Sequence, residues 1–101
     1  MLCAAASREE AARLAEALIA RRLAACVQAL PIESWYRWEG KVERAAEVML
    51  LIKTTRAKAG EAEACLKALH GYAVPEIIVL PVEGGLGAYL DWVSAEVADG
   101  A

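Results

Sequence analysis

Apolar and polar positions alternate most regularly between Glu33 and Thr55, in the stretch ESWYRWEGKVERAAEVMLLIKTT. A period of two puts successive side chains on opposite faces of a strand, and Glu39-Gly40 supplies the positive φ of a tight hairpin turn. Folding about that dipeptide sets Trp38 opposite Lys41, Arg37 opposite Val42, Tyr36 opposite Glu43 and Trp35 opposite Arg44. One face then carries Ser34, Tyr36 and Trp38, and the other Trp35 and Arg37. In the second arm Val42, Val48, Leu50 and Ile52 point one way while Met49 and Leu51 point the other. From Val48 to Ile52 the strand is apolar on both faces and must be covered on both. Arms of about ten residues at about 3.4 Å each reach roughly 30 Å, the diameter of a small domain, so the hairpin tip projects.

The flanking segments have other periods. Met1 to Ala6 is a short apolar run that predicts a first strand. Ser7-Arg8-Glu9-Glu10 fits a capping box, with Glu10 reaching back to the Ser7 amide. Ala11, Ala15, Leu18, Ile19 and Leu23 then follow at helical spacing, Arg21 and Arg22 suit a helix C-terminus, and the helix is expected to end near Ala24 or Ala25. Cys26 to Leu30 leads into the hairpin, with a bend at Pro31, which suits an edge strand or a bulge. After Thr54-Thr55, a natural cap, Ala62, Cys65, Leu66 and Leu69 mark a second amphipathic helix that Gly71 stops. Gly60 weakens its first turns. Ile77 to Leu80, between Pro75 and Pro81, is a short strand. Beyond Gly84, Gly85 and Gly87, a closing helix places Leu86, Leu90, Val93 and Val97 on one side with Tyr89 alongside. The order strand, helix, strand, strand, helix, strand is the split βαβ pattern: two helices cover one sheet face and leave the other for a second copy of the chain.

Composition narrows the function. The 101 residues make one domain, 1–101, with one core. A net charge of −3 argues against nucleic acid as the main partner. No apolar run approaches the roughly 18 residues of a membrane-spanning helix, and MLCAAASREE has neither the basic leader nor the apolar length of a signal peptide. Three widely spaced cysteines, Cys3, Cys26 and Cys65, point to free thiols in a cytosolic protein. Asn and Phe are absent and Ala, Glu and Arg are abundant, a bias that suits a thermostable protein or a GC-rich genome.

Enzyme chemistry has little material. There is one His and no Asn, which removes an acylphosphatase-like Arg and Asn pair, and Glu9-Glu10 is a helix start rather than an acid and base. RNA recognition by such a sheet needs exposed aromatics on central strands, and VMLLIKTT has none.

Two motifs carry a resemblance. Ser34, Tyr36, Trp38, Gly40 and Lys41 form S-x-Y-x-W-x-G-K, and Val74, Pro75 and Glu76 open an apolar run closed by Pro81. With RRLAAC, VMLLIKTT, LHGY and YLDW, they make the chain similar to the CutA divalent-cation tolerance family over nearly its whole length. That resemblance implies an α+β, ferredoxin-like βαββαβ sandwich with a long hairpin between its second and third strands and a C-terminal helix. It also implies a homotrimer, cytoplasmic, not an enzyme, that binds copper(II) or another divalent cation. The family's metal ligands map to Cys3 and His70. Where some relatives have His-His-Pro-Tyr, this chain reads Leu69-His70-Gly71-Tyr72, one ligand fewer. The alternative readings are a small buried strand residue for Cys3 and a polar residue at a helix end for His70. Cys65 and Cys26 read as packed.

A different class of function is also open, a signalling trimer that holds a small anionic effector in the clefts between subunits. Trp38, Lys41, Lys53, Tyr72 and Glu76 are the candidate lining, lysines for the charge and aromatics for stacking. For Trp38 and Tyr72 the structural counterpart is an ordinary subunit interface. A third possibility is a purely structural trimer that anchors other proteins.

Overall fold

The computed structural model describes residues 1–99. Seven elements follow in order: β1 (Leu2–Ala5), α1 (Arg8–Ala20), β2 (Cys26–Trp38), β3 (Lys41–Lys53), α2 (Arg56–Leu69), β4 (Ile77–Ile78) and α3 (Gly87–Glu96). The strands form one antiparallel sheet in the order β2-β3-β1-β4. This is the ferredoxin-like α+β arrangement.

The hairpin dominates the molecule. Its register runs unbroken from Cys26 opposite Lys53 to Trp38 opposite Lys41, so the four tip pairs fall as the alternation predicts. Glu39 and Gly40 both take positive φ, 51° and 80°, the two-residue turn whose twist matches that of paired strands. Pro31 neither bends nor bulges the ladder. β2 is the outermost strand, and the missing amide of Pro31 costs the ladder nothing if it faces outward. The chain measures 45 × 26 × 20 Å, elongated by the overhanging hairpin.

One sheet face holds the core. Cys3, Ala5, Val48, Leu50 and Ile52 pack beneath Leu14 and Leu18 of α1 and Ala62, Cys65 and Leu66 of α2. Each fully buried Leu or Ile contributes about 1.5–3 kcal/mol, which makes this face the chief source of stability within the chain. The alternate residues Leu2, Met49, Leu51 and Ile78 lie on the other face, outside that core.

The helices differ from expectation in phase and in length. α1 buries Leu14 and leaves Ile19 exposed, and α2 buries Ala59 and leaves Leu69 exposed. α1 stops at Ala20, four residues early. Arg22 adopts φ 56° while its amide bonds to the Ile19 carbonyl and that of Leu23 bonds to the Leu18 carbonyl. These are the two crossed bonds of a Schellman ending, made here without glycine. At the other end Ser7 Oγ accepts the Glu10 amide, but the Glu10 carboxylate takes the amide of Ala6 rather than that of Ser7. Thr55 occupies the N-cap position of α2 with no side-chain bond, while the Thr54 hydroxyl donates to the Leu23 carbonyl. Val93 and Val97 are the buried residues at α3.

Candidate functional site

The end of α2 is tied to the rest of the fold through His70. Its imidazole is buried, with Nδ1 accepting the Tyr72 amide at 3.1 Å and Nε2 lying 2.7 Å from the Ala4 carbonyl. An Nδ1 that accepts leaves the proton on Nε2, so Nε2 donates to Ala4. Beside the ring, the Glu10 carboxylate receives the amides of Ala6 at 2.9 Å and Gly71 at 2.8 Å, with Oε2 4.0 Å from Nδ1. Burial pushes the Glu10 carboxyl up, but the two amides, His70 and Arg13 prevail and hold it below the usual carboxylate range.

Cys3 lies one residue before Ala4, on the core side of β1, opposite Leu50 and Ile77. It is fully buried, and that burial, with the charges of Glu76 and Glu10, pushes its thiol up to about 11. A metal needs a thiolate and an imidazole nitrogen with a free lone pair. In this arrangement the thiol keeps its proton and both imidazole nitrogens are engaged. The Cys3 and His70 side chains as they stand do not fit a metal ion. Among the described residues, no three His, Cys, Asp or Glu side chains converge as a ligand set.

The open side of the sheet carries a cleft of about 410 Å³ between the distal hairpin and the loop after α2. Tyr36, Trp38, Glu47, Tyr72, Val74 and Glu76 supply its main walls. The Tyr72 hydroxyl donates to Glu47 Oε2 at 2.8 Å, and its ring tilts against His70 with centroids 4.9 Å apart. Burial and the Glu47 bond push the phenol up to about 12, so it stays a neutral donor.

Of the five residues expected to line a cleft between subunits, Trp38, Tyr72 and Glu76 line this cleft of the single chain, and Lys41 and Lys53 lie outside it. The two lysines occupy opposite ends of β3, about 40 Å apart at strand rise. Lys53 Nζ donates instead to Gln28 Oε1. Tyr36 and Glu47 are lining residues beyond that set. Strand parity signals both: Tyr36 shares a face with Trp38, and Glu47 shares one with Met49 and Leu51.

Sheet order, helix cover and projecting hairpin define the class, a ferredoxin-like α+β protein. The model of the family described as CutA1 divalent ion tolerance protein matches residues 1–96, and the chain belongs to that family. A divalent-cation tolerance protein CutA of Archaeoglobus fulgidus is 44% identical over 91 residues, covering 90% of this chain and 89% of that one. Its namesake in Thermus thermophilus is 47% identical over 88 residues, 86% of this chain and 85% of that one. A solved Archaeoglobus fulgidus structure superposes with a TM-score of 0.94 at 42% identity, covering 96% of this chain and 95% of that one. That protein is described as periplasmic, and a rice relative, 47% identical over 86% of this chain and 50% of its own length, is chloroplastic. These relatives overturn the expectation of a cytoplasmic protein.

Proposed function

We propose that this chain is a divalent-cation tolerance protein that works as a homotrimeric, non-enzymatic scaffold, with copper(II) or another divalent cation as its ligand class. Family membership supports the cation role. The scaffold reading rests on one observation, the apolar sheet face of Leu2, Met49, Leu51 and Ile78 left outside the chain's own core. Of these, Ile78 is exposed and Leu2, Met49 and Leu51 are half-buried, while Leu30, Trp35, Val79, Leu80 and Val82 are exposed as well. Exposed apolar surface on this scale, in a chain of 101 residues, marks an association surface.

The family resemblance nominates Cys3 and His70 as the donors, an assignment that the buried, protonated thiol and the doubly engaged imidazole argue against. Cation binding there requires His70 to release the Tyr72 amide and Cys3 to lose its proton. The anionic-effector alternative is the weaker reading, since within one chain the cleft has Glu47 and Glu76 on its walls and neither lysine. Light scattering with and without Cu(II) tests the proposal. A trimer mass in both conditions, with calorimetric heat on Cu(II) addition, supports it. A monomer that gives no heat with Cu(II) or Zn(II) contradicts it.

A further inference from the structure

On its helix side, the hairpin outruns the helices that cover it. Val48 is the last buried position of β3 on that side. Further out, Ala46, Arg44 and Val42 share the face with their cross-strand partners Glu33, Trp35 and Arg37, and all six are exposed. Trp35 stands at the centre, 64% exposed, with the Arg44 guanidinium over its ring at 5.1 Å. Arg44 Nη2 also donates to Glu33 Oε2 at 2.6 Å, so with Arg37 the face keeps a positive charge in excess. It is the opposite face from that of Leu2, Met49, Leu51 and Ile78.

α3 carries the matching surface. Its own chain buries Val93 and Val97, and the Arg22 guanidinium donates to the Glu96 carbonyl at 3.1 Å. Tyr89 and Trp92, with ring centroids 5.7 Å apart, stay exposed, as does Leu86. The charged residues of α3 are Asp91 and Glu96, both acidic. An aromatic, acidic helix and an aromatic, basic strand face are complementary in sign, and Trp and Arg are the residues that anchor interfaces.

Within one chain the two surfaces are out of reach of each other. The Tyr89 hydroxyl lies against the Cys26 thiol, at the start of β2. Trp35 is nine residues further along that strand, about 30 Å at strand rise, whereas a ten-residue helix spans roughly 15 Å. We propose that the helix-side face around Trp35 seats α3 of a second copy of the chain, with Trp92 of the partner subunit packed against Trp35 and the partner's acidic residues turned toward Arg37 and Arg44. The proposal rests on the homotrimer of the proposed function and adds which surfaces meet. Each copy gives its helix and receives another on a different patch, a heterologous contact of the kind that closes into a ring.

The test is subunit exchange between unlabelled and heavy-isotope-labelled full chain, followed by native mass spectrometry. The expected result is a three-chain species whose exchange quickens about tenfold or more in Trp35→Ala and again in Trp92→Ala. Side chains that touch are energetically coupled, so the double variant should exchange far more slowly than the product of the two single effects requires. Far-UV circular dichroism confirms that the variants fold. A three-chain species whose exchange is unchanged in either folded single variant, or in which the two effects multiply in full, leaves the trimer standing and overturns this seat for α3. The face around Trp35 then stays in solvent or takes an unrelated partner. A native chain found only as a single copy overturns both the trimer and the seat.

Discussion

The carboxylate of Glu10, in the first turn of α1, accepts the amide of Gly71, just past the end of α2, at 2.8 Å across 61 positions of sequence. One side chain thereby completes the start of one helix and fixes the exit of the other. A Cβ on residue 71 would stand 2.8 Å from Glu10 Oε2, closer than such contacts occur. Gly71→Ala should therefore cost about 1–3 kcal/mol in urea denaturation. Glu10→Ala, which orphans both amides, should cost a similar amount.

That carboxylate also sets an acid dependence. Its folded pKa lies below the ordinary 4.5, so the stabilisation is present above 4.5 and is lost as pH falls through the folded value. The stability gap between wild type and Glu10→Gln should be constant from pH 6 upward and close in acid. Urea midpoints across that range are the check, and a gap that widens in acid would contradict the assignment.

His70 holds the Ala4 carbonyl and the Tyr72 amide together. His70→Ala leaves both without a protein partner and should cost about 2–3 kcal/mol. Cys3→Ala and His70→Ala, compared by Cu(II) calorimetry, separate packing from ligation. The buried, protonated thiol and the doubly engaged imidazole predict an unchanged copper affinity in Cys3→Ala, and a fall of tenfold or more would restore Cys3 as a ligand.

The hairpin turn has room for improvement. Glu39 adopts φ 51°, a region that Asn occupies more readily than Glu, and Asn-Gly is the favoured pair for this turn. Glu39→Asn should raise stability by about 0.5–1 kcal/mol without shifting the strand register. Denaturation midpoints measure the first effect and cross-strand nuclear Overhauser contacts between Trp38 and Lys41 the second.

The thiols should differ in reactivity. Cys3 and Cys65 are buried and Cys26 is partly exposed. Thiolate chemistry at neutral pH is also disfavoured at Cys3 by its raised pKa. Mass mapping after brief alkylation of the native protein should find Cys26 labelled first, with Cys3 labelled only on unfolding.

Much of this was legible in the alternation around Glu39-Gly40. A turn of fixed length sets every cross-strand pair behind it, so thirteen pairs follow from one dipeptide. The helices were less legible because their faces are rich in alanine. Ala11 and Ala15 do not discriminate between a face through Leu14 and one through Ile19, and only packing on the sheet chooses Leu14. The early stop of α1 depends on Arg22 in a left-handed conformation that no arginine advertises. β4 is two residues rather than four because Ile78 already pairs with Leu2, the first residue of β1, leaving Val79 and Leu80 beyond its end. The separation of the two lysines is illegible for a related reason. Alternation reports the face of Lys41 and Lys53 but not the length of strand between them.

The most direct test of the central claim is the mass of the purified chain in solution, by size-exclusion chromatography with multi-angle light scattering at micromolar concentration. A sheet face that one copy leaves uncovered predicts an assembly, and the family resemblance sets its expected mass at three times the 10.8 kDa of the chain. A stable, soluble species of 10.8 kDa would contradict it.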